Sequence, residues 1–208
     1  MKVRHPRVER LKHGRMDALP EIALFARYPE PGAAKTRLIP ALGPEQAAQT
    51  HRLLVERTLA TMRKGNLPFR LHFTGAKASD FAAWLGDDVP LVEQGEGGLG
   101  ERMARVPAPA ILLGSDIPDL TPRHLREAAD ALASHDLVVG PAKDGGYYLL
   151  GFKVPVHFLF EDMEWGTETV LAITLRRARA RGMSVAMLEV LADCDRPADL
   201  SQWPDLLP

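Results

Sequence analysis

Apolar residues fall into two patterns along this chain. Short, nearly continuous apolar runs alternate with longer stretches in which apolar residues return at helical spacing. Glu21 to Ala26, Phe69 to Phe73, Val89 to Val92, Ala110 to Leu113, Leu137 to Val139, Tyr147 to Phe152 and Ser184 to Glu189 read as strands. Glu45 to Arg63 reads as a long helix, with Ala47, Leu54, Leu59 and Met62 among its apolar positions, and Ser79 to Leu85 as a short one. Arg123 to Ala133 is a helix opened by Pro122, which needs no N–H partner there. Thr167 to Arg181 is an Arg-rich helix with Thr167 as its N-cap. Strands separated by helices predict an α/β fold, a mainly parallel sheet covered on both faces. Ligands of such sheets bind beyond the carboxyl ends of the strands. Arg27, Asp116 and Asp144 each stand just after a predicted strand.

Composition narrows this picture. The chain has 208 residues, 46% of them hydrophobic, enough for one sizeable core. A net charge of -1 supplies no global field toward a nucleic-acid polymer, while leaving room for a local pocket of cations. Cys194 is the one cysteine, so no intrachain disulfide forms. No apolar stretch is long enough to span a bilayer, and the N-terminus lacks the apolar segment of a secretory signal. A cytoplasmic protein is expected. Residues 1–20 differ from the rest: Lys2, Arg4, Arg7, Arg10, Lys12 and Arg15 are interleaved with polar and weakly apolar residues, which reads as a basic arm before a single domain over 21–208. A homodimer is compatible with the sequence but not indicated by it.

The segment after the first strand carries the densest chemistry. Phe25-Ala-Arg-Tyr-Pro-Glu-Pro-Gly-Ala-Ala-Lys-Thr-Arg-Leu38 joins a Gly/Pro-rich turn to three cations and a helix start. Gly32 permits backbone geometry that a side chain would block. Arg27 and Arg37 can fork onto phosphate oxygens, and Lys35 is a mobile point charge. Phosphate binding is expected of Arg27, Gly32, Lys35 and Arg37 together.

Carboxylates follow further on. Asp116, at the end of the Ala110 to Leu113 strand, can hold a divalent cation in company with substrate phosphates; Asp119 suits a turn-capping role. Asp193 and Asp195 flank Cys194 and point the same way only if that stretch is extended. Asp195 is the preferred second metal ligand and Asp193 a supporting group, while Asp199 caps or solubilises the terminal segment. Asp144 opens Asp144-Gly-Gly-Tyr-Tyr148, where it could orient an acceptor hydroxyl, bind a ribose or simply shape an Asp-Gly turn. Tyr147 and Tyr148 then point to opposite sheet faces, one of them able to line a pocket. Trp165 could stack on a ligand ring or pack structurally. The seven histidines show no metal-ligand spacing.

A second glycine-rich stretch, Gln94-Gly-Glu-Gly-Gly-Leu-Gly-Glu-Arg-Met103, can bring backbone groups against a planar base, with Gln94 offering both donor and acceptor. Gln94, Gly95 and Gly98 are therefore expected to contact a base; the alternative is a loop followed by a helix containing Arg102 and Met103. Neither glycine-rich segment has the dinucleotide or Walker spacing.

Taken with Gly114-Ser-Asp-x-Pro-Asp-Leu120, Gly140-Pro-Ala-x-Asp-Gly-Gly-Tyr-Tyr148 and Trp165-Gly-Thr167, these motifs resemble a bacterial family of unassigned chemistry in the glycosyltransferase-A superfamily, from Ile22 to about Leu200. The resemblance implies one Rossmann-like, three-layer nucleotide-binding domain. The superfamily holds nucleotide-sugar glycosyltransferases and nucleotidyltransferases, among them molybdenum-cofactor and phospholactate guanylyltransferases. It implies a triphosphate-holding loop at Gly32, Lys35 and Arg37, a base-reading segment at Gln94, and metal ligands at Asp116 and Asp195. Ala26-Arg27-Tyr28-Pro29 replaces the Leu-Ala-Gly-Gly form common in those enzymes. The expected activity is a Mg2+- or Mn2+-dependent nucleotidyltransferase joining a nucleoside triphosphate to a small phosphorylated acceptor, with Lys35, Asp116 and Asp144 as catalytic residues. A glycosyltransferase using a nucleotide-sugar is the second reading, and a non-catalytic nucleotide-binding protein the third.

Overall fold

The computed structural model describes residues 19–207; the proposed basic arm falls almost wholly outside them. Seven strands form one sheet: β1 (Glu21–Arg27), β2 (Phe69–Thr74), β3 (Leu91–Glu93), β4 (Ala110–Leu113), β5 (Leu137–Pro141), β6 (Tyr147–Phe152) and β7 (Val185–Met187). Their spatial order is β3-β2-β1-β4-β6-β5-β7. β6 runs antiparallel to both neighbours, and every other pairing is parallel. The helices are α1 (Ile39–Leu42), α2 (Pro44–Gly65), α3 (Ala78–Leu85), α4 (Leu99–Ala104), α5 (Pro122–Ser134) and α6 (Val170–Ala180). This is the three-layer α/β sandwich that the apolar runs predict.

The alternation of side chains along a strand divides the core in two. On β1 and β4, Ile22, Leu24, Ile111 and Leu113 pack in a cluster with α2, α3 and α5. Ala23, Ala110 and Leu112 face the opposite way, into a cluster closed by Met103 of α4 and Ala178 of α6. Because both faces are covered, these strands read as unbroken apolar runs. Helix α2 begins with Pro44 and stops at Asn66, which adopts the left-handed conformation suited to a helix C-terminus. Helix α6 starts later than expected: the Thr167 hydroxyl donates to the Glu164 carbonyl, and Thr169 takes the N-cap place.

A third cluster positions the site. Leu38 after the first loop, Leu54 of α2, and Cys194, Trp203 and Leu206 from the end of the chain are all buried together. Each such side chain contributes on the order of 1.5–3 kcal/mol by leaving water. Polar ties lock the arrangement. The Trp203 indole donates to Asp119 Oδ1 at 3.0 Å, and the Cys194 N–H donates to the Asp116 carbonyl at 2.8 Å. Asp119 thus anchors the terminal segment instead of capping its own turn. The terminal segment from Cys194 to Leu206 is thereby pinned beside the first loop. Chain order reverses between β1 and β4, since β1 leads to β2 on one side while β4 lies on the other. A crevice is expected at such a point.

Candidate active site

The first loop leaves β1 at Arg27 and turns through Gly32, whose φ of +83° lies in the region that favours glycine. Arg27 Nη1 reaches across the loop to the Ala33 carbonyl at 3.2 Å. Lys35 then also adopts the left-handed conformation, φ 47° and ψ 45°, which costs a non-glycine residue about 1 kcal/mol. Its side chain, only 3% exposed, is carried inward and all three ammonium protons find acceptors. Nζ lies 2.8 Å from Asp116 Oδ1, 3.3 Å from Asp195 Oδ1 and 2.6 Å from the Cys194 carbonyl. Arg37 Nη1 approaches the other Asp195 oxygen at 2.6 Å. Asp195 is itself set by Asp199, whose carboxylate accepts the N–H groups of Asp195 and Arg196. Residues distant in sequence therefore meet in a knot of two cations and two carboxylates.

Proton affinities follow from this geometry. Burial alone would lower the Lys35 ammonium, but the charges of Asp116 and Asp195 outweigh it and hold the group above its ordinary value. Desolvation pushes the Asp116 carboxyl up; the Lys35 charge and hydrogen bond, helped by His51, bring it below the usual carboxylate range. Both are ionised at neutral pH. His51, on the inner face of α2, hydrogen-bonds the Arg27 carbonyl through Nε2 at 3.0 Å, and burial lowers its proton affinity.

Two cavities open from the knot. One, about 360 Å³, is lined by Arg27, Lys35, Arg37 and His51. The other, about 310 Å³, is lined by Asp144 and Asp193 with Phe25, Tyr147 and Trp165. Arg37, Asp116 and Asp195 border both. Gly145, at φ +89°, lies so close to the Glu168 backbone that a Cβ there would collide with it. Asp144 Oδ1 accepts the Gly146 N–H at 2.8 Å, so the Asp-Gly turn forms and still faces the cavity. A Cβ on Gly100 would stand 2.8 Å from the Phe160 carbonyl, which is how α4 packs tightly against the Trp165 segment.

Most of the expected residues meet here, and four, Gln94, Gly95, Gly98 and Gly32, line neither cavity. Gln94, 7% exposed, turns inward: its NH₂ donates to the carbonyls of His72 at 2.7 Å and Ala26 at 3.3 Å, tying β1 to β2. Its amide donors are therefore taken by the protein's own backbone. Gly95 and Gly98 line neither cavity. Arg105 donates to the carbonyls of Gln94 and Glu96, Arg102 to that of Gly97, and Glu101 accepts the Gly98 N–H, so the loop is folded onto its own arginines. In this arrangement Gln94 and the Gly95–Gly98 loop are bonded to the protein itself. Gly32 is exposed at the loop tip and shapes it without lining a cavity. Sequence reasoning missed His51, Phe25 and Arg105. Of these, only Arg105 carried a signal, a guanidinium shortly after a glycine run.

No three or more His, Cys, Asp or Glu residues come together to hold a metal among the described residues. Two carboxylates do face one cationic point, at present the Lys35 ammonium, and one Asp116 oxygen has no ion-pair partner among the described residues. Mg2+ is commonly bound through one or two carboxylates plus substrate phosphates. The donor set fits an ion that arrives with a nucleotide.

The chain is thus a doubly covered α/β sheet with a loop-held knot of charges at its switch point. The chain belongs to the bacterial family described as "Uncharacterized protein conserved in bacteria (DUF2064)", whose profile matches residues 58–167. A 3-phospho-D-glycerate guanylyltransferase from Phenylobacterium zucineum (strain HLK1) is 38% identical over 96 residues, 44% of this chain and 42% of that one. The matched part thus spans less than half the length of that curated relative. A Desulfovibrio desulfuricans G20 protein, named as a candidate nucleotide-diphospho-sugar transferase, superposes with a TM-score of 0.82 at 29% identity, covering 90% of this chain and 88% of that one. Rv0371c from Mycobacterium tuberculosis H37Rv, in a complex with manganese, gives 0.52 at 23% identity over 89% and 97% of the two chains, a likeness of fold alone. No helix among the described residues is long and apolar enough to cross a membrane.

Proposed function

We propose that this protein is a nucleotidyltransferase that moves a nucleoside monophosphate from a nucleoside triphosphate to a small phosphorylated acceptor. The observation that carries the reading is the Lys35 ammonium held between Asp116 and Asp195, with Arg37 beside it, where a cationic and an acidic cavity meet. The name of the Phenylobacterium relative agrees with the reaction class. Arg27, Lys35 and Arg37 would bind the triphosphate tail in the cationic cavity. With Lys35 and Arg37 on the tail, Asp116 and Asp195 would be the residues to hold Mg2+ or Mn2+. That ion would neutralise charge on the phosphates. An acceptor phosphate oxygen attacks the α-phosphorus, the bond to the bridging oxygen breaks, and pyrophosphate leaves with the electron pair. The acceptor is already anionic, so no strong base is needed; positioning and charge stabilisation supply the catalysis. Asp144 would orient the acceptor.

Glycosyl transfer from a nucleotide-sugar is the second reading, favoured by the name of the Desulfovibrio neighbour. The two differ in product. Purified protein incubated with each of the four nucleoside triphosphates, Mg2+ or Mn2+ and a panel of phosphorylated acceptors should release pyrophosphate, read by phosphorus NMR. Nucleoside diphosphate from a nucleotide-sugar, with no pyrophosphate from any triphosphate, would replace the first reading with the second. Neither product across both panels would sink both.

A further inference from the structure

The acidic cavity carries information about the acceptor that the transferase reading does not use. Its lining holds four carboxylates, Asp116, Asp144, Asp193 and Asp195, against one cation, Arg37. Asp116 and Asp195 are balanced by Lys35 and Arg37. Asp144 and Asp193 enter no salt bridge among the described residues. The rest of the wall is aromatic and apolar. Trp165 stands edge-on to Tyr147, centroids 6.4 Å apart at 87°, with Phe25 and Met103 completing that side. The Tyr147 hydroxyl is buried beside that of Thr174, so Tyr147 offers the cavity its ring.

We propose that this cavity accepts a molecule whose end remote from the reacting oxygen is a cation on a compact organic body, an amine or quaternary ammonium, placed between the Trp165–Tyr147 pair and the carboxylates of Asp144 and Asp193. Aromatic faces attract cations electrostatically, most strongly when water is excluded. The carboxylates add the counter-charge they lack at present. An anionic remote end, such as the carboxylate of a phosphoglycerate, would face both of them with no cation between. A neutral end would leave them unbalanced. The acceptor class thus differs from the one in the name of the Phenylobacterium relative.

The turnover part of the test rests on the nucleotidyltransferase reading; the binding part rests on the cavity alone. With Mg2+ and the nucleoside triphosphates, pyrophosphate release is measured for phosphocholine, glycerol 3-phosphate and 3-phosphoglycerate, which differ in the charge of the remote end. The expected order of kcat/KM is cationic, neutral, anionic, with about tenfold or more between the extremes. An Asp144→Asn/Asp193→Asn double variant should compress that spread to about threefold, chiefly by losing phosphocholine. In the binding part, calorimetry with the unmodified protein compares benzyltrimethylammonium with benzoate; the cation should bind about tenfold tighter or more, and the double variant should lose the difference. A best rate with 3-phosphoglycerate, an equal fall for all three acceptors in the double variant, or benzoate binding as well as the cation would each overturn the proposal. If none of the three acceptors yields pyrophosphate, the two aromatic probes decide the cavity's preference by themselves, and the transferase reading stands or falls on the wider panel.

Discussion

The two cavities that meet at Lys35 are of similar size and opposite character. One gathers Arg27, Lys35, Arg37 and His51 around a loop whose backbone bends twice into the left-handed region. The other sets carboxylates on an aromatic wall built by rigid strands and a glycine turn. Between them, two cations and two carboxylates cancel. A chain with a net charge of -1 thus hides a strong local dipole, and global charge is a poor guide to what a cleft binds. The difference also assigns directions: a polyanion is drawn to one side and repelled from the other, as the proposed transfer between two substrates requires.

Removing the shared centre gives the largest expected effect. Asp116→Asn keeps the shape and cancels one charge of the knot. Turnover should fall at least about a hundredfold, the scale for preorganised charge-stabilising groups. The pH dependence has a defined sign. The Asp116 carboxyl is held below its ordinary value, so its charge is complete above that value and is lost only as pH falls through the lowered one. The rate of the unmodified enzyme should show no acid limb from this group between about pH 5 and 8. Steady-state rates across that range test both statements, and unchanged turnover in the variant would remove Asp116 from the chemistry.

A smaller effect tests the wall of the acidic cavity. Phe25 lines it, and His72 stacks flat behind Phe25, centroids 5.2 Å apart at 5°. Burial, then the nearby Arg70, lowers the His72 imidazole to about 4, and its Nε2 is buried without a hydrogen-bond partner among the described residues. The unfolded chain therefore binds a proton that the folded chain refuses. Stability from this group is complete above about pH 6.5 and is lost as pH falls toward 4. At pH 5 the loss is on the order of 2 kcal/mol. His72→Phe keeps the stack and removes the titration. Denaturant midpoints of both proteins at pH 7.5 and 5 should show the unmodified chain losing more stability on acidification; equal losses would contradict the assignment.

The sequence makes the sheet legible because both core faces leave continuous apolar strands, and it makes Lys35 and Asp116 legible because each is a charge in a turn after such a strand. It does not show that Lys35 bonds to Asp195. That contact depends on Leu38, Leu54, Trp203 and Leu206 packing together, a tertiary event with no local signature. Gln94 shows the opposite case. Its setting among glycines suggests a contact with a base, and nothing in the sequence foretells the partners it takes in the fold. The reach of Arg105 to the carbonyls of Gln94 and Glu96 folds the loop back, and the Gln94 amide ties two strands. Which way a glycine loop folds is decided by the donors that reach its carbonyls. The helix at Val170 starts late for a similar local reason, since Thr167 uses its hydroxyl on the preceding turn.

Arg37 sharpens the comparison further, with the smallest effect of the three. It borders both cavities and binds Asp195 at 2.6 Å, yet its side chain is 53% exposed. Exposure weakens what one charge contributes, so Arg37→Met should raise KM for the nucleotide only about tenfold. If Arg37 serves the polyphosphate alone, the acceptor KM stays within about twofold and kcat changes little, the mark of lost uniform binding. If it also holds Asp195 in place for the reaction, kcat falls together with kcat/KM. Arg37→Lys separates these roles, because an ammonium restores charge without the planar fork that reaches Asp195 and a phosphate at once. Recovery of KM without recovery of kcat would assign the charge to the cationic cavity and the fork to the shared centre. No change in either constant would leave Lys35 as the link between the two halves of the cleft.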